Sequence, residues 1–202
     1  MTDLEKRIYP MDVRVETRAE GEGDRIVGYA AVFNRDSEDL GSFTEEVAPG
    51  AFSDAIKDDD VRALVDHDSS RILGRTAAGT LKLAEDKVGL RMEIDLPDTT
   101  TGRDIKESIK RGDVTGASFS FRTIDDKWET RDGKDHRTLL KVKLFDVGPV
   151  SFPAYPDTAV GVRNLEIAMR SLEATKPKPV DPDPECDVDA ELRQRHAEAL
   201  SA

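Results

Sequence analysis

The chain has 202 residues, 37% of them hydrophobic and 36% charged, and a formal net charge of −12; this length supports one domain with a core plus additional chain. Phosphate backbones repel so acidic a protein, which argues against generic nucleic-acid binding. A single cysteine, Cys186, excludes an internal disulfide, no segment has the ~20 apolar residues of a membrane span, and the opening MTDLEKRIYP has no signal-peptide pattern, so an intracellular chain is expected.

The stretch from Val13 to Val162 is mostly strand-like. DVRVETR alternates, with Val13 and Val15 on one face, and RIVGYAAVF is a continuous apolar run suited to a strand buried on both sides. APGAFSDAIKD predicts a helix, with Pro49 near its start and Phe52 and Ile56 one turn apart. VRALVD, TLKLAE and GLRMEID return to strands, the last with Leu90, Met92 and Ile94 on one face. TTTGRDIKESIKRG predicts a second helix, capped by threonine, apolar through Ile105 and Ile109, and ended by Gly112. ASFSFRTI and LLKVKLFDV are further strands, joined by a hairpin tip in TRDGKDHRT. Many short strands at close spacing predict an α+β protein built mainly on an antiparallel, closed or nearly closed β-barrel with a few flanking helices.

After Arg163 the character changes. NLEIAMRSLEA has Leu165, Ala168 and Leu172 at helical spacing, TKPKPVDPDPECD is an extended proline- and acid-rich stretch, and VDAELRQRHAEAL is amphipathic. The expected organisation is a folded body over 1–172, a Pro/Asp-rich linker over 173–187 and a short amphipathic tail helix over 188–202. The tail is expected to be cleaved or used for docking, because its composition cannot offset the entropy of ordering it.

Three histidines are available for chemistry. His196 lies among charges in the tail and His136 in a polar loop, where a solvated role is the ordinary expectation. His67 closes the strand VRALVD between two acids, which suits a titratable ring held near a site. In GASFS, Phe119 and Phe121 point to one face of a strand and Ser118 and Ser120 to the other. The segment is not a G-x-S-x-G elbow, since Ser120 stands where the second glycine belongs. A serine nucleophile needs a base, and the base needs a group that orients it. His136, Asp66, Asp68 and Asp146 could serve as that group. Asp66 and Asp68 adjoin His67 and are expected to point away from it, while Asp146 ends an apolar strand, where a buried acid needs a partner. No Cys/His cluster has zinc spacing, and neither metal nor cofactor is expected.

GYAAVFN, EEVAPGAFSDAI, VRALVDHDSSRILGRT, GASFSFR and LFDVGPVSFPAYPDTAV follow in this order. Together they resemble the prohead, or head-maturation, serine proteases of tailed bacteriophages, a family similar in fold to herpesvirus assemblin. The resemblance spans about residues 10–163. It implies a serine endopeptidase of Ser-His-Asp type with Ser118 as nucleophile, His67 as base and Asp146 as the orienting acid. It further implies that scaffold, an extension of the major capsid protein and the protease itself are cut inside the assembling prohead, in the host cytoplasm. A homo-oligomer is left open. The competing readings are a non-catalytic assembly protein on the same fold and a small-ligand-binding barrel. Two positions depart from the family pattern. Ser120 stands where glycine is frequent, and Gly148 where serine is frequent.

Overall fold

The computed structural model describes residues 4–10, 13–19 and 23–151. The body 152–172, the linker 173–187 and the tail 188–202 expected from composition lie outside the described residues. Ten strands and two helices follow in chain order: β1 (Glu5–Pro10), β2 (Arg14–Glu16), β3 (Arg25–Val32), β4 (Phe43–Val47), α1 (Ala55–Asp58), β5 (Arg62–Leu64), β6 (Ile72–Arg75), β7 (Leu81–Glu85), β8 (Gly89–Asp95), α2 (Thr100–Arg111), β9 (Gly116–Arg131) and β10 (Lys134–Val150). No helix among them is long and apolar enough to cross a membrane.

The strands form two sheets. One runs β1-β9-β10-β5-β6, with β4 also on β10, and the other runs β2-β3-β8-β7. β9 and β10 are the long central hairpin. Asp132 and Gly133, at φ 51° and 79°, make its two-residue tip, a turn whose twist matches that of the flanking strands. Ile26, Ala30, Leu90, Met92 and Ile94 of one sheet meet Phe119, Phe121, Leu144 and Val147 of the other in a single apolar cluster. Within it the Phe119 ring packs edge-on against Phe52 at 5.3 Å and stacks on Phe121 at 4.9 Å, the geometries aromatic quadrupoles favour.

The helix expected over TTTGRDIKESIKRG forms as α2. The Thr99 hydroxyl accepts from the Gly102 amide at 3.2 Å, and Gly112 closes the helix at φ 79°, where a side chain would be strained.

Two expectations are corrected. No closed barrel is found among the described residues, although the pairing is mainly antiparallel as expected, with two parallel exceptions. β10 has 17 residues, long enough for its second edge to carry β4 and then β5, both parallel to it. The chain therefore layers strands along one long ribbon. β1 and β6 end that sheet, β2 and β7 end the other, and among the described residues one isolated bridge, from Phe33 just past β3 to Val47 of β4, links the two. The helix predicted over APGAFSDAIKD is reduced to its last turn. Gly50 takes φ 91°, a value no helix uses, and Glu85 accepts from the Phe52 amide at 2.9 Å and the Ser53 hydroxyl at 2.7 Å. A side chain from β7 thus holds backbone that a longer helix would have organised.

Candidate active site

The first turn of α2's exit leads directly into β9. From Gly116 to Phe121 every residue of β9 is buried, although side chains alternate between faces. Phe119 and Phe121 enter the core. Ser118 and Ser120 lie on the other face, and both are buried as well.

On β10 the alternation is broken where it matters. Leu144 pairs with Phe121 on the core face, yet Asp146 pairs with Ser120 on the opposite face, because the register slips between Leu144 and Asp146. Phe145 is the extra residue of a β-bulge, a device that re-aims the side chain that follows. Without it, Asp146 would share the core face of Leu144. With it, the Asp146 carboxylate meets the serine face, and Ser120 Oγ donates to Asp146 Oδ2.

His67 arrives from the turn after β5. Asp66 and His67 are consecutive residues at φ 54° and 58°, left-handed values that cost a non-glycine residue of order 1–3 kcal/mol. The surroundings enforce them. The Asp66 amide donates to the Pro149 carbonyl at 3.1 Å, its carboxylate accepts from the Ser151 amide at 2.8 Å, and the Asp68 amide donates to the Val65 carbonyl at 3.0 Å. Asp68 also accepts from the Ser70 amide at 2.8 Å. Both acids beside His67 are thus spent on fixing the turn.

Gly148 lets this turn come close. A Cβ there would stand 1.9 Å from the Leu64 carbonyl oxygen. Gly148 also lies opposite Ser118 in the β9–β10 register. The missing side chain allows β5 and its turn to sit against β10 while His67 reaches across to β9.

The result is a continuous chain of polar atoms. Ser118 Oγ is bonded to His67 Nε2, and His67 Nδ1 lies 2.5 Å from Asp146 Oδ1. With the Nδ1 proton donated to the carboxylate, Nε2 is free to accept from the serine. The His67 and Asp146 side chains are 7% and 13% exposed, so the ion and dipole interactions act in a medium of low polarity, where they are strong. Ser118 Oγ has a second acceptor, the Arg7 carbonyl of β1 at 2.8 Å. One hydroxyl proton thus faces two acceptors.

His136 lies elsewhere, far down the hairpin. Its Nε2 is 3.2 Å from Asp36 Oδ1, accepts from the Arg131 guanidinium, and is 4.0 Å from Glu46. Asp36, Glu46 and His136 are close enough to share a cation, but Arg131 already supplies positive charge there.

Four features were not visible in the sequence. They are the Arg7 carbonyl, the bond from Ser120 to Asp146, the Phe145 bulge and the close approach at Gly148. Each depends on register between strands, which alternation within one strand does not encode.

A second polar cluster sits on the core-facing side of the same strands. Glu5 and Arg7 pair in register with Phe121 and Phe119, and the Arg7 guanidinium lies 5.3 Å from the Phe121 ring centre. Arg7 bonds Glu45 at 2.7 and 2.8 Å and Glu5 at 2.7 Å, while Arg137 bonds Glu5 at 2.8 Å, Glu45 at 3.1 Å and Thr123 at 2.6 Å. Burial by itself pushes the Glu5 carboxyl up, but Arg7 and Arg137 beside it outweigh burial and hold it below the usual carboxylate range. Burial likewise pulls the Arg7 guanidinium down, and Glu45 and Glu5 outweigh it, holding the group above its ordinary value.

The family model of caudovirus prohead serine proteases matches residues 11–176. No curated protein sequence matches the chain. Among solved structures, the bacteriophage T4 capsid assembly protease, gp21, superposes with a TM-score of 0.52 at 12% identity, over 74% of this chain and 98% of that one. At that identity the likeness is one of fold. The family match spans most of the chain, and the chain belongs to the caudovirus prohead serine proteases.

Proposed function

We propose that this member of the prohead protease family is a serine endopeptidase that works through Ser118, His67 and Asp146. The observation that carries the reading is the unbroken chain from Ser118 Oγ through His67 Nε2 and Nδ1 to Asp146 Oδ1. Ser118 attacks the scissile carbonyl carbon as its hydroxyl proton passes to His67 Nε2. Asp146 holds the ring in the receptive tautomer and stabilises the imidazolium that forms. His67 then returns the proton to the leaving amine as the C–N bond breaks, leaving an acyl-enzyme. Water, deprotonated by the same nitrogen, releases the acid and restores the serine. Ser118 has no exposed surface, so entry of a peptide requires neighbouring chain to open.

The substrates that family membership supports are the scaffold, an extension of the major capsid protein and the protease itself, cut inside the prohead as it assembles in the host cytoplasm. The test is co-expression with the capsid protein and scaffold, combined with labelling by a fluorophosphonate. Wild type is expected to label and to shorten its substrates, and Ser118→Ala to do neither. Full processing by Ser118→Ala would overturn the reading. No labelling and no processing by wild type would return the chain to a non-catalytic assembly role on this fold.

A further inference from the structure

We propose that Ser120 is a positioning residue for the proteolytic site, a fourth member that locks the orientation of the Asp146 carboxylate. The inference rests on the reading of Ser118, His67 and Asp146 as the catalytic set. Ser120 is two residues beyond the nucleophile on the same face of β9, is completely buried, and stands directly opposite Asp146 in the strand register. Its hydroxyl donates to Asp146 Oδ2, while Oδ1 faces His67 Nδ1. The two carboxylate oxygens therefore have separate partners, one on each side. A carboxylate fixed at both ends cannot turn about its Cβ–Cγ bond, so Oδ1 stays in line with the imidazole. Asp146 depends on this restraint because it follows a bulge, where the ladder that would otherwise stiffen the strand is interrupted. Removing the hydroxyl leaves a nearly buried carboxylate oxygen without that donor. The group then gains a competing orientation in which His67 loses its brace.

Ser118 itself sits in the same wall, and nothing in this role asks Ser120 to touch substrate. The prediction is accordingly confined to the chemical step. Rates of fluorophosphonate labelling at a range of probe concentrations separate the maximal inactivation rate from the half-saturating concentration. In Ser120→Ala the maximal rate falls about tenfold, the worth of a hydrogen bond to a charged group, and the half-saturating concentration stays put. Ser120→Thr, which keeps the hydroxyl, restores most of the lost rate. The downfield proton resonance of His67 Nδ1–H shifts or broadens in Ser120→Ala and recovers in Ser120→Thr, a signature that simple loosening of packing does not produce. A wild-type rate and an unmoved resonance in Ser120→Ala overturn the proposal. So does an equal slowing in Ala and Thr, because the hydroxyl would then be irrelevant. If Ser120→Ala does not fold, Ser120→Cys, similar in volume and a weak donor, decides by the same rate and resonance. Ser118→Ala separates the two levels. Labelling of Ser118→Ala at the wild-type rate sinks the catalytic reading and this one with it, whereas a silent Ser118→Ala beside an unaffected Ser120→Ala sinks only the role of Ser120.

Discussion

β1, β9 and β10 carry two buried polar clusters on opposite sides. On the core side, two arginines and two glutamates close on one another, with Thr123 and Asp126 at the margin. On the other side, one carboxylate, one imidazole and two hydroxyls form an open line. The core cluster sets guanidinium groups against carboxylates, and each charge faces its opposite. It can hold strands in register, but it has no proton to pass on. The outer line contains the one residue type whose unperturbed titration lies near neutrality, placed between a donor and an acid. Burial of polar atoms alone therefore does not mark a site. What distinguishes the outer cluster is that its central member is an imidazole with a partner on each ring nitrogen. Arg7 belongs to both: its guanidinium is in the core cluster and its carbonyl reaches Ser118.

The largest expected effect breaks the outer line. Asp146→Asn should retain the fold and lower proteolysis about 10⁴-fold, because the amide can stabilise the wrong imidazole tautomer. Thermal melting together with a peptide or capsid cleavage assay checks both halves. Unimpaired cleavage would place the orienting role elsewhere.

Breaking the core cluster should do the reverse. Arg137→Met leaves buried carboxylates short of their cation and is expected to cost about 3–5 kcal/mol of stability. Chemical denaturation measures the loss, and fluorophosphonate labelling per folded molecule should stay near wild type. A variant that melts normally but fails to label would mean that the two clusters are not separable.

Gly148→Ala tests the seat of the outer line, where the His67 turn packs on β10. The added methyl meets the Leu64 carbonyl, and the expected cost is about 1–3 kcal/mol of overpacking, with slower labelling as the His67 turn is pushed from Ser118. Equal stability and equal labelling would mean that β5 yields freely.

The smallest effect is one of pH. The folded-state value of Glu5 lies below its ordinary 4.5, so on acidification the unfolded chain takes up the proton first. The stabilisation from Glu5 is full above that ordinary value and fades as pH falls through the folded one. The stability gap between wild type and Glu5→Gln, followed by denaturant titration, should hold through neutrality and shrink in acid. A gap that widened on acidification would contradict the sign.

The sequence showed the parts of this molecule that obey local rules. The cap and stop of α2, the Asp132-Gly133 tip and the alternation around Phe119 and Phe121 were all legible. Other features were not. β1 went unseen because EKRIYP reads as a charged terminus, its Glu5 and Arg7 turning inward only because Glu45 and Arg137 receive them. β4 was hidden for the same reason, with Glu45 standing between Phe43 and Val47 on the buried face. An ion pair between distant strands makes a core position look like a surface one. Barrel closure could not be read either, since alternation says which face a residue takes and not which strand lies beside it. The grouping of Ser118, His67 and Asp146 came from a resemblance. The reasons for their convergence, a left-handed turn and a bulge, belong to the folded chain.

The bulge at Phe145 makes β10 a strand whose length must be counted in whole residues. Deleting Phe145 removes neither the nucleophile, the base nor the acid, and it would set Leu144 and Asp146 side by side opposite the adjacent Phe121 and Ser120, a regular ladder without the extra residue. Asp146 would keep the serine face and Val147 the core face, but the strand would lose the local bend and added twist that a bulge gives it. One further inserted residue, by contrast, would exchange inside for outside beyond it unless the bulge widened to absorb it.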